Sequence, residues 1–199
     1  MPRRDTTDAR EVIARTLDAA IALHQHVRSM DHEPVIRAAE EIGRAVAAGR
    51  TVLTFGNGGS AADAQHFAAE LVGRFIRERA GMAAVALTAD TSVLTSVAND
   101  YGFDRVFARQ IEALGHPGDV AVAISTSGRS ANVVAAMAAA TGRGLTTIAL
   151  TGNDGGLVGA AADIHVNVPD PSAARVQEVH RTLLHAMCEY VELMVDAGS

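Results

Sequence analysis

The feature of the sequence that most constrains its fold is a series of five short apolar runs separated by longer stretches with helical periodicity. The runs cover residues 51–55, 83–87, 120–124, 146–150 and 164–168. Short runs that are apolar throughout are typical of parallel strands covered on both faces, and parallel neighbours need a crossover between them. The pattern therefore predicts an α/β protein with a doubly wound, five-stranded parallel sheet flanked by helices.

The stretches around these strands predict the helices. Two helices come first, at 7–27 and 33–48, and six more follow at 60–77, 92–99, 105–114, 130–141, 156–161 and 171–195. A chain of 199 residues, 48% of them hydrophobic, can bury one sizeable core. We therefore expect a single domain over residues 1–199, with N-terminal helices at about 7–48 and an α/β core at about 50–195. Such sheets bind ligands at the carboxyl ends of their strands.

The loop after the first predicted strand, FGNGGS at 55–60, joins a strand to a helix through three glycines. Free backbone N–H groups at a helix start favour an anion such as phosphate, and Ser60 adds a hydroxyl, either as the N-cap or as a ligand. The alternative is an ordinary tight turn. The sequence contains neither the G-x-G-x-x-G spacing nor a Walker lysine here, which disfavours a dinucleotide or a nucleoside triphosphate.

The loop after the third predicted strand is richer in hydroxyl groups. Ser125, Thr126, Ser127 and Ser130 fall within six residues, whereas one hydroxyl is enough to cap a helix. A phosphate has enough oxygen acceptors to use several hydroxyl and N–H donors. This loop therefore favours a monophosphate bound by neutral donors, with Arg129 facing solvent.

Ionisable side chains on two of the predicted helices could form a metal or acid–base site. His66 and Glu70 are four residues apart and share a helix face, where they could ligate a metal or form an ion pair. The last helix carries the further candidates Gln177, Glu178, His180 and His185. The two histidines on it are five residues apart, about 140° around the axis, so they cannot both face one site. Periodicity alone does not choose between them.

A shorter polar pair, Asn99 and Asp100, lies at the end of the helix predicted at 92–99. Its amide and carboxylate could bind sugar hydroxyls, or the pair could form an Asx turn. The local sequence favours the turn.

Composition excludes several other classes of function. The formal charge is −6, with 17 Lys+Arg against 23 Asp+Glu, and aromatic content is 4% without tryptophan, so we expect no nucleic-acid partner. The start of the chain lacks a long apolar segment, and no stretch approaches about 18 apolar residues, so we expect a cytoplasmic protein that does not bind membranes. The single cysteine, Cys188, is expected to be a small core residue.

Four segments read in order, GNGGSAADAQHFAAEL, SVANDYGF, AISTSGRSANV and ARVQEVHRTLLHA, resemble the sugar isomerase (SIS) superfamily and, within it, the phosphoheptose isomerases. The resemblance covers roughly residues 10–195. It implies the SIS fold and an aldose–ketose isomerase that converts sedoheptulose 7-phosphate to D-glycero-D-manno-heptose 7-phosphate through an enediol, in heptose biosynthesis. It also implies one zinc ion per subunit and a homotetramer whose sites lie at subunit boundaries, where assembly would bring the first-motif helix and the last helix together.

The resemblance also implies roles for individual residues. Zinc would be held by His66, Glu70, Gln177 and His185, which leaves His180 as a packing residue. Glu70 and His185 fit the base and the acid that an enediol mechanism needs. The implied contacts to sugar and phosphate are Asn57, Gly58, Gly59, Ser60, Glu70, Asn99, Asp100, Ser125, Thr126, Ser127, Ser130 and Gln177.

Three alternatives remain at this point. One is a non-catalytic member of the superfamily that resembles the adaptor of the bacterial replication initiator, but that adaptor lacks the carboxylate and the second histidine found here as Glu70 and His185. Another is an isomerase of a different sugar phosphate. The third is a sugar-phosphate-sensing regulatory domain, which usually accompanies a DNA-binding segment that this sequence does not contain.

Overall fold

The computed structural model describes residues 8–197, with side chains for residues 8–195. Thr7, where the first helix was predicted to begin, lies outside this range. The strands are β1 (Val52–Gly56), β2 (Ala84–Ala86), β3 (Val120–Ser125), β4 (Thr146–Gly152) and β5 (Ile164–Val168). They form one sheet in the order β2-β1-β3-β4-β5, and every neighbouring pair is parallel. The predicted fold class is confirmed.

The strand order places a switch point between β1 and β3. From β1 the chain crosses to β2 on one side and then returns to β3 on the other, so that Gly56 at the end of β1 lies opposite Ile124 in β3. The two Gly/Ser loops singled out in the sequence leave the sheet at these neighbouring strand ends. A ligand crevice is expected at such a point in an open α/β sheet.

The described residues contain eight α-helices. They are α1 (Ala9–Arg28), α2 (Glu33–Ala47), α3 (Gly59–Val72), α4 (Thr91–Tyr101), α5 (Ala108–Leu114), α6 (Ala131–Gly142), α7 (Gly156–Ala160) and α8 (Ala173–Ala197). Helix α1 belongs to a contact unit that ends at Asp31, and the remaining elements belong to a second unit that begins at His32. Between residues 8 and 197, no helix is both long and apolar enough to cross a membrane.

The second unit has a core on each face of the sheet. Helices α2, α3 and α8 contribute to one core, where Phe67 and Met187 pack with Val122 of β3. Helices α5 and α6 contribute to the other, with Phe107 and Met137. Side chains of β3 alternate between the two cores, as expected for a strand buried on both faces. Cys188 is 2% exposed, which confirms that it is a core residue.

The structure corrects three predicted helix boundaries. The helix predicted at 60–77 ends at Val72, because Gly73 leaves helical geometry and the next segment hydrogen-bonds to α8 instead. The stretch 105–114 divides into a 3₁₀ helix at Phe103–Arg105 and α5. Helix α4 continues through Asn99 and Asp100, which therefore lie in its last turn and not in an Asx turn.

Candidate active site

The first Gly-rich loop is compact because another helix lies directly against it. Gly58 has a φ of +56°, a conformation that glycine adopts readily. A Cβ on Gly59 would lie 2.7 Å from the amide nitrogen of Gln177 on α8. The N-cap position of α3 is Gly58, so Ser60 is already inside the helix and the suggestion that it caps α3 is wrong. Ser60 is 3% exposed, and it lines the cavity described below.

The hydroxyl groups of the second loop do not cap helix α6. Ser130 occupies the N-cap position of α6, but its side chain makes no capping hydrogen bond. Its Oγ instead lies 3.5 Å from Oγ of Ser125 at the end of β3. The Oγ of Ser127 accepts a hydrogen bond of 3.2 Å from the backbone N–H of Arg129. The hydroxyl groups of Ser125 and Ser130 therefore converge on the space between the two loops.

That space is a cavity of about 80 Å³. It is lined by Asn57, Ser60, Ile124, Ser125, Thr126, Ser127, Ser130 and Gln177. None of these eight residues carries a charge, so the donors offered to a ligand are hydroxyl, amide and backbone N–H groups. A volume of a few water molecules suits a small anionic group and is too small for a nucleotide base.

The two loops are tied together by a pair of asparagine side chains. The amide of Asn57 donates to Oδ1 of Asn132, and the amide of Asn132 donates back to Oδ1 of Asn57, both at 2.8 Å. Asn132 is 3% exposed, in the first turn of α6. The sequence reasoning did not single out Asn132. A polar residue two positions after Ser130, in a helix that is otherwise apolar, was the available signal.

A third loop, after β4, supports the second one from outside. Arg129 forms a bidentate pair with Asp154, with N–O distances of 2.7 and 2.6 Å, and both side chains are more than half exposed. The hydrogen bond from Arg129 lowers the pKa of Asp154 to about 2. The guanidinium is thus engaged with Asp154, and it is absent from the cavity lining.

Three ionisable side chains from α3 and α8 form a cluster. Nε2 of His66 lies 2.8 Å from Nε2 of His185 and 3.4 Å from Oε1 of Glu70. One ligand atom from each of the three residues lies within 4.8 Å of the others. Two imidazole nitrogens and a carboxylate oxygen form a donor set that could hold a metal ion.

Helices α3 and α8 run alongside each other in the same direction, and we call the contact between them the α3–α8 seam. His66 meets His185 there, and one turn earlier Asp63 is paired with Arg181, whose Nε lies 3.0 Å from its carboxylate. The sequence offset of these pairs stays between 118 and 119 residues. Gly59 and Gln177 continue the same alignment toward the cavity. The cavity and the cluster therefore lie along one seam.

The remaining sequence candidates lie apart from the cluster. Gln177 lines the cavity and stands eight residues before His185, a rise of about 12 Å along α8. Asn99 and Asp100 are exposed in the last turn of α4, where the Asn99 amide donates to Asp100 at 2.8 Å. Among the described residues, they are not part of the cavity lining.

His180 is fully buried and points away from His185. Its Nε2 lies 3.0 Å from the backbone carbonyl of Thr151 in β4, so Nε2 is the donor. Burial lowers the pKa of His180, against a smaller opposing effect of that hydrogen bond. Only His185 of the two histidines faces the cluster, as the 140° separation requires.

A larger depression, of about 420 Å³, lies beside α4 and α5. It is lined by Val93, Arg109, Gln110, Glu112, Ala113 and Leu114. The amide of Gln110 is already bonded to the backbone carbonyls of Leu87 and Val106. This depression does not combine converging donors with an acid–base group, and the smaller cavity is the better candidate site.

Comparisons with known proteins agree with this geometry. The SIS domain family model matches residues 17–152. The phosphoheptose isomerase of Halorhodospira halophila (strain DSM 244 / SL1) is 48% identical over 194 residues, which is 96% of this chain and 98% of that protein. Two solved phosphoheptose isomerases superpose closely. That of Neisseria gonorrhoeae has a TM-score of 0.89 at 48% identity, and that of Francisella tularensis a TM-score of 0.90 at 33%, each covering 94% of this chain and all of the other.

Proposed function

Because the chain belongs to the SIS domain family and, within it, to the phosphoheptose isomerases, we propose that it converts sedoheptulose 7-phosphate to D-glycero-D-manno-heptose 7-phosphate at the site on the α3–α8 seam. The chain is an aldose–ketose isomerase. The product would supply heptose biosynthesis. The observation that carries the proposal is the position of the neutral cavity and the His/Glu cluster along a single seam.

The cavity is the proposed site of the phosphate group. Its lining combines hydroxyl groups from the second loop with the start of α3, whose free N–H groups and dipole favour an anion. Asn57, Gly58 and Gly59 would contribute to the same cradle. A ligand held there by its phosphate can extend along the seam toward His66, and this fixes the reacting carbons relative to the cluster.

The cluster supplies the acid and the base for the proton transfers. In our proposal Glu70 removes a proton from C1 of the ketose while His185 donates a proton to O2, which gives the enediol. Glu70 then returns its proton to C2, and His185 takes the proton from O1. Each residue thus ends the cycle in its starting protonation state, and no external proton donor is consumed.

The donors of His66, Glu70 and His185 fit a metal ion, and we propose that the ion is zinc. Gln177 is proposed as the fourth ligand, and for that its side chain would have to extend from the cavity lining along the seam toward the cluster. Zinc bound there would polarise the substrate carbonyl and stabilise the negative charge of the enediolate. Because coordination lowers the basicity of a carboxylate, Glu70 would have to leave the ion when it acts as the base. The chain's own residues keep the donors in place. His66 lies within hydrogen-bonding distance of His185, and both histidines share the seam with the Asp63–Arg181 pair.

We further propose a cytoplasmic homotetramer with sites at subunit boundaries. The resemblance led us to expect that assembly brings the first-motif helix and the last helix together. The structure differs, since α3 and α8 already meet within one chain. Asn99 and Asp100, exposed on α4, are proposed to bind sugar hydroxyls at such a boundary.

The first test is to incubate the purified, metal-analysed protein with sedoheptulose 7-phosphate and to follow aldose formation by NMR. Glu70→Gln should slow turnover by a factor on the order of 10² to 10⁴, because it removes the base. Glu78→Gln is the matched control, since it makes the same chemical change at a side chain that is 91% exposed.

The outcomes separate the alternatives. Product from the wild type and from Glu78→Gln, but not from Glu70→Gln, supports the isomerase with Glu70 as base. Metal binding without product would point to a different sugar phosphate. A protein that binds neither metal nor sugar phosphate would favour the non-catalytic adaptor, although close relatives that are phosphoheptose isomerases argue against that reading.

A further inference from the structure

A second buried polar network lies farther along the α3–α8 seam, beyond the cluster. Glu192 stands on α8 seven residues after His185, and its side chain is 1% exposed. Its carboxylate accepts hydrogen bonds from the backbone N–H groups of Phe75 (2.9 Å), Ile76 (3.0 Å) and Arg77 (2.9 Å). These residues follow the end of α3. One carboxylate therefore ties α8 to three consecutive peptide groups.

Arg79 connects this carboxylate to α3 itself. Its side chain is 5% exposed, and its Nε forms an ion pair with Glu192 at 3.3 Å. The guanidinium donates hydrogen bonds to the backbone carbonyls of Glu70 (2.8 Å), Leu71 (2.8 Å) and Gly73 (3.1 Å). A cation is favourable at the C-terminus of a helix, where the last carbonyls have no helical partner. The turn that Arg79 caps is the turn that carries Glu70.

The charges of this network reach the neighbourhood of the cluster. Burial raises the pKa of Glu192, but the three backbone N–H groups and Arg79 together lower it by more than burial raises it. The pKa of Glu192 therefore lies below its usual value, and the carboxylate is ionised. The thiol of Cys188 is affected by charges of both the cluster and this network. Burial and the charges of Glu70 and Glu192 raise the pKa of its thiol to about 12, against a smaller opposing effect of Arg79.

Stability alone does not require an ion pair at this place. Well-packed apolar side chains often replace a buried ion pair without loss of stability, because both charges must give up their hydration. Apolar contacts, however, leave two parallel helices freer to shift along each other. A carboxylate with three N–H donors and a guanidinium bonded to four backbone carbonyls, the fourth that of Ala80 at 3.0 Å, make all of these hydrogen bonds together in one relative position of the two segments. The ring of Phe75 is held 5.3 Å from the ring of His185 in that geometry.

We propose that Glu192 and Arg79 are positioning residues for the isomerisation, and that their buried ion pair fixes the last turn of α3 against α8 so that Glu70 and His185 keep their mutual distance. The inference rests on the proposed function for its kinetic part. Neither residue touches the substrate in this arrangement. Each acts through the backbone of the segment from Glu70 to Arg77.

The test compares Glu192→Gln with Asp119→Asn. Asp119 is 3% exposed, and its carboxylate accepts backbone N–H groups of Thr51 (2.9 Å) and His116 (2.8 Å) at the opposite, amino-terminal end of β3. Both variants exchange a buried carboxylate for an amide. Five quantities are measured for each variant: kcat, KM, zinc affinity by chelator competition, the NMR signal of the His185 ring, and the thermal midpoint of unfolding.

We expect Glu192→Gln to lower zinc affinity and kcat by about tenfold to a hundredfold, as for other groups that orient metal ligands. KM should change by less than about twofold, because the phosphate cavity is intact. The His185 signal should shift as Phe75 moves. Asp119→Asn should lower the thermal midpoint but leave kcat, zinc affinity and the His185 signal as in the wild type.

Two results would overturn the inference. One is a destabilised Glu192→Gln protein with wild-type kcat, zinc affinity and His185 signal, and the other is an Asp119→Asn protein that loses them equally. If the wild type does not turn over sedoheptulose 7-phosphate, the proposed function fails, while zinc affinity and the His185 signal still decide the role of Glu192. If Glu192→Gln does not fold, Arg79→Lys gives the same readouts, because lysine keeps the charge but loses the forked donors.

Discussion

The cavity and the cluster differ in what holds them in place. The cavity lies between two loops that leave neighbouring strands, and the pairing of Gly56 with Ile124 fixes the distance between those loops. The cluster lies between two helices whose contacting residues are about 119 positions apart in sequence. Backbone hydrogen bonds of the sheet therefore position the cavity, whereas side chains along the seam position the cluster.

The two regions also differ in the number and kind of groups that they offer to a ligand. The cavity offers several neutral donors of similar kind, so each contributes a modest share of the binding free energy. The cluster has three ionisable groups, and the proposed mechanism gives Glu70 and His185 separate roles as base and acid. We therefore expect single substitutions to affect the cluster far more than the cavity.

The largest effect is expected for His185→Gln. This change removes both the proposed acid and a metal donor, so kcat should fall by a factor on the order of 10² to 10⁴ and zinc affinity should fall with it. Steady-state kinetics and chelator competition measure the two effects. His116→Gln, at a side chain that is 69% exposed, is the control. A His185→Gln protein with more than about a tenth of wild-type kcat would contradict the contrast between the regions.

The next largest effect is expected for Asn132→Leu, which tests the pair of asparagine side chains that connects the two cavity loops. The change leaves the partly buried amide of Asn57 without its partner, and the free energy of unfolding should fall by about 1–3 kcal/mol. Urea denaturation measures this loss. KM should rise as well, because Asn57 is no longer held toward the ligand, while zinc affinity stays unchanged.

The same contrast explains how much of the site could be predicted from the sequence. Both cavity loops were predictable, because a strand, a Gly/Ser loop and a helix follow one another along the chain. Helical periodicity alone did not choose His185 over His180, since it shows that the two diverge but not which one meets His66, and the choice came from the family resemblance. The contacts of Glu192 could not be predicted either, for a related reason. Its partners are backbone groups of a segment that the helical pattern predicted as helix.

A smaller effect, which depends on pH, is expected from His180, the residue that attaches α8 to β4. Burial lowers its pKa in the folded protein, so below an unfolded-state pKa near 6.5 the unfolded chain binds a proton that the folded chain does not. Stability is therefore retained above about pH 6.5 and lost as pH falls, with a slope approaching about 1.4 kcal/mol per pH unit for one such group. His165, whose pKa burial also lowers, adds to this slope.

His180→Gln keeps a donor for the Thr151 carbonyl and removes the titration. Urea denaturation between pH 5 and pH 8 should therefore show a flatter dependence of the unfolding free energy on pH than in the wild type. Equal slopes for the two proteins would mean that other groups account for the acid sensitivity. Zinc affinity at pH 8 should be the same in both, which separates the anchoring of α8 to the sheet from the cluster on its other side.

The smallest effect is expected for Ser125→Ala, a change that removes one of several hydroxyl groups in the cavity. The remaining donors and the backbone N–H groups keep the anion bound, so the loss should be about 1 kcal/mol, which corresponds to a KM raised roughly fivefold with kcat unchanged within about twofold. Inorganic phosphate should inhibit the variant more weakly by a similar factor. If Ser125→Ala instead lowered kcat as strongly as His185→Gln does, the cavity would take part in the chemistry, and the division of labour between the two regions would be wrong.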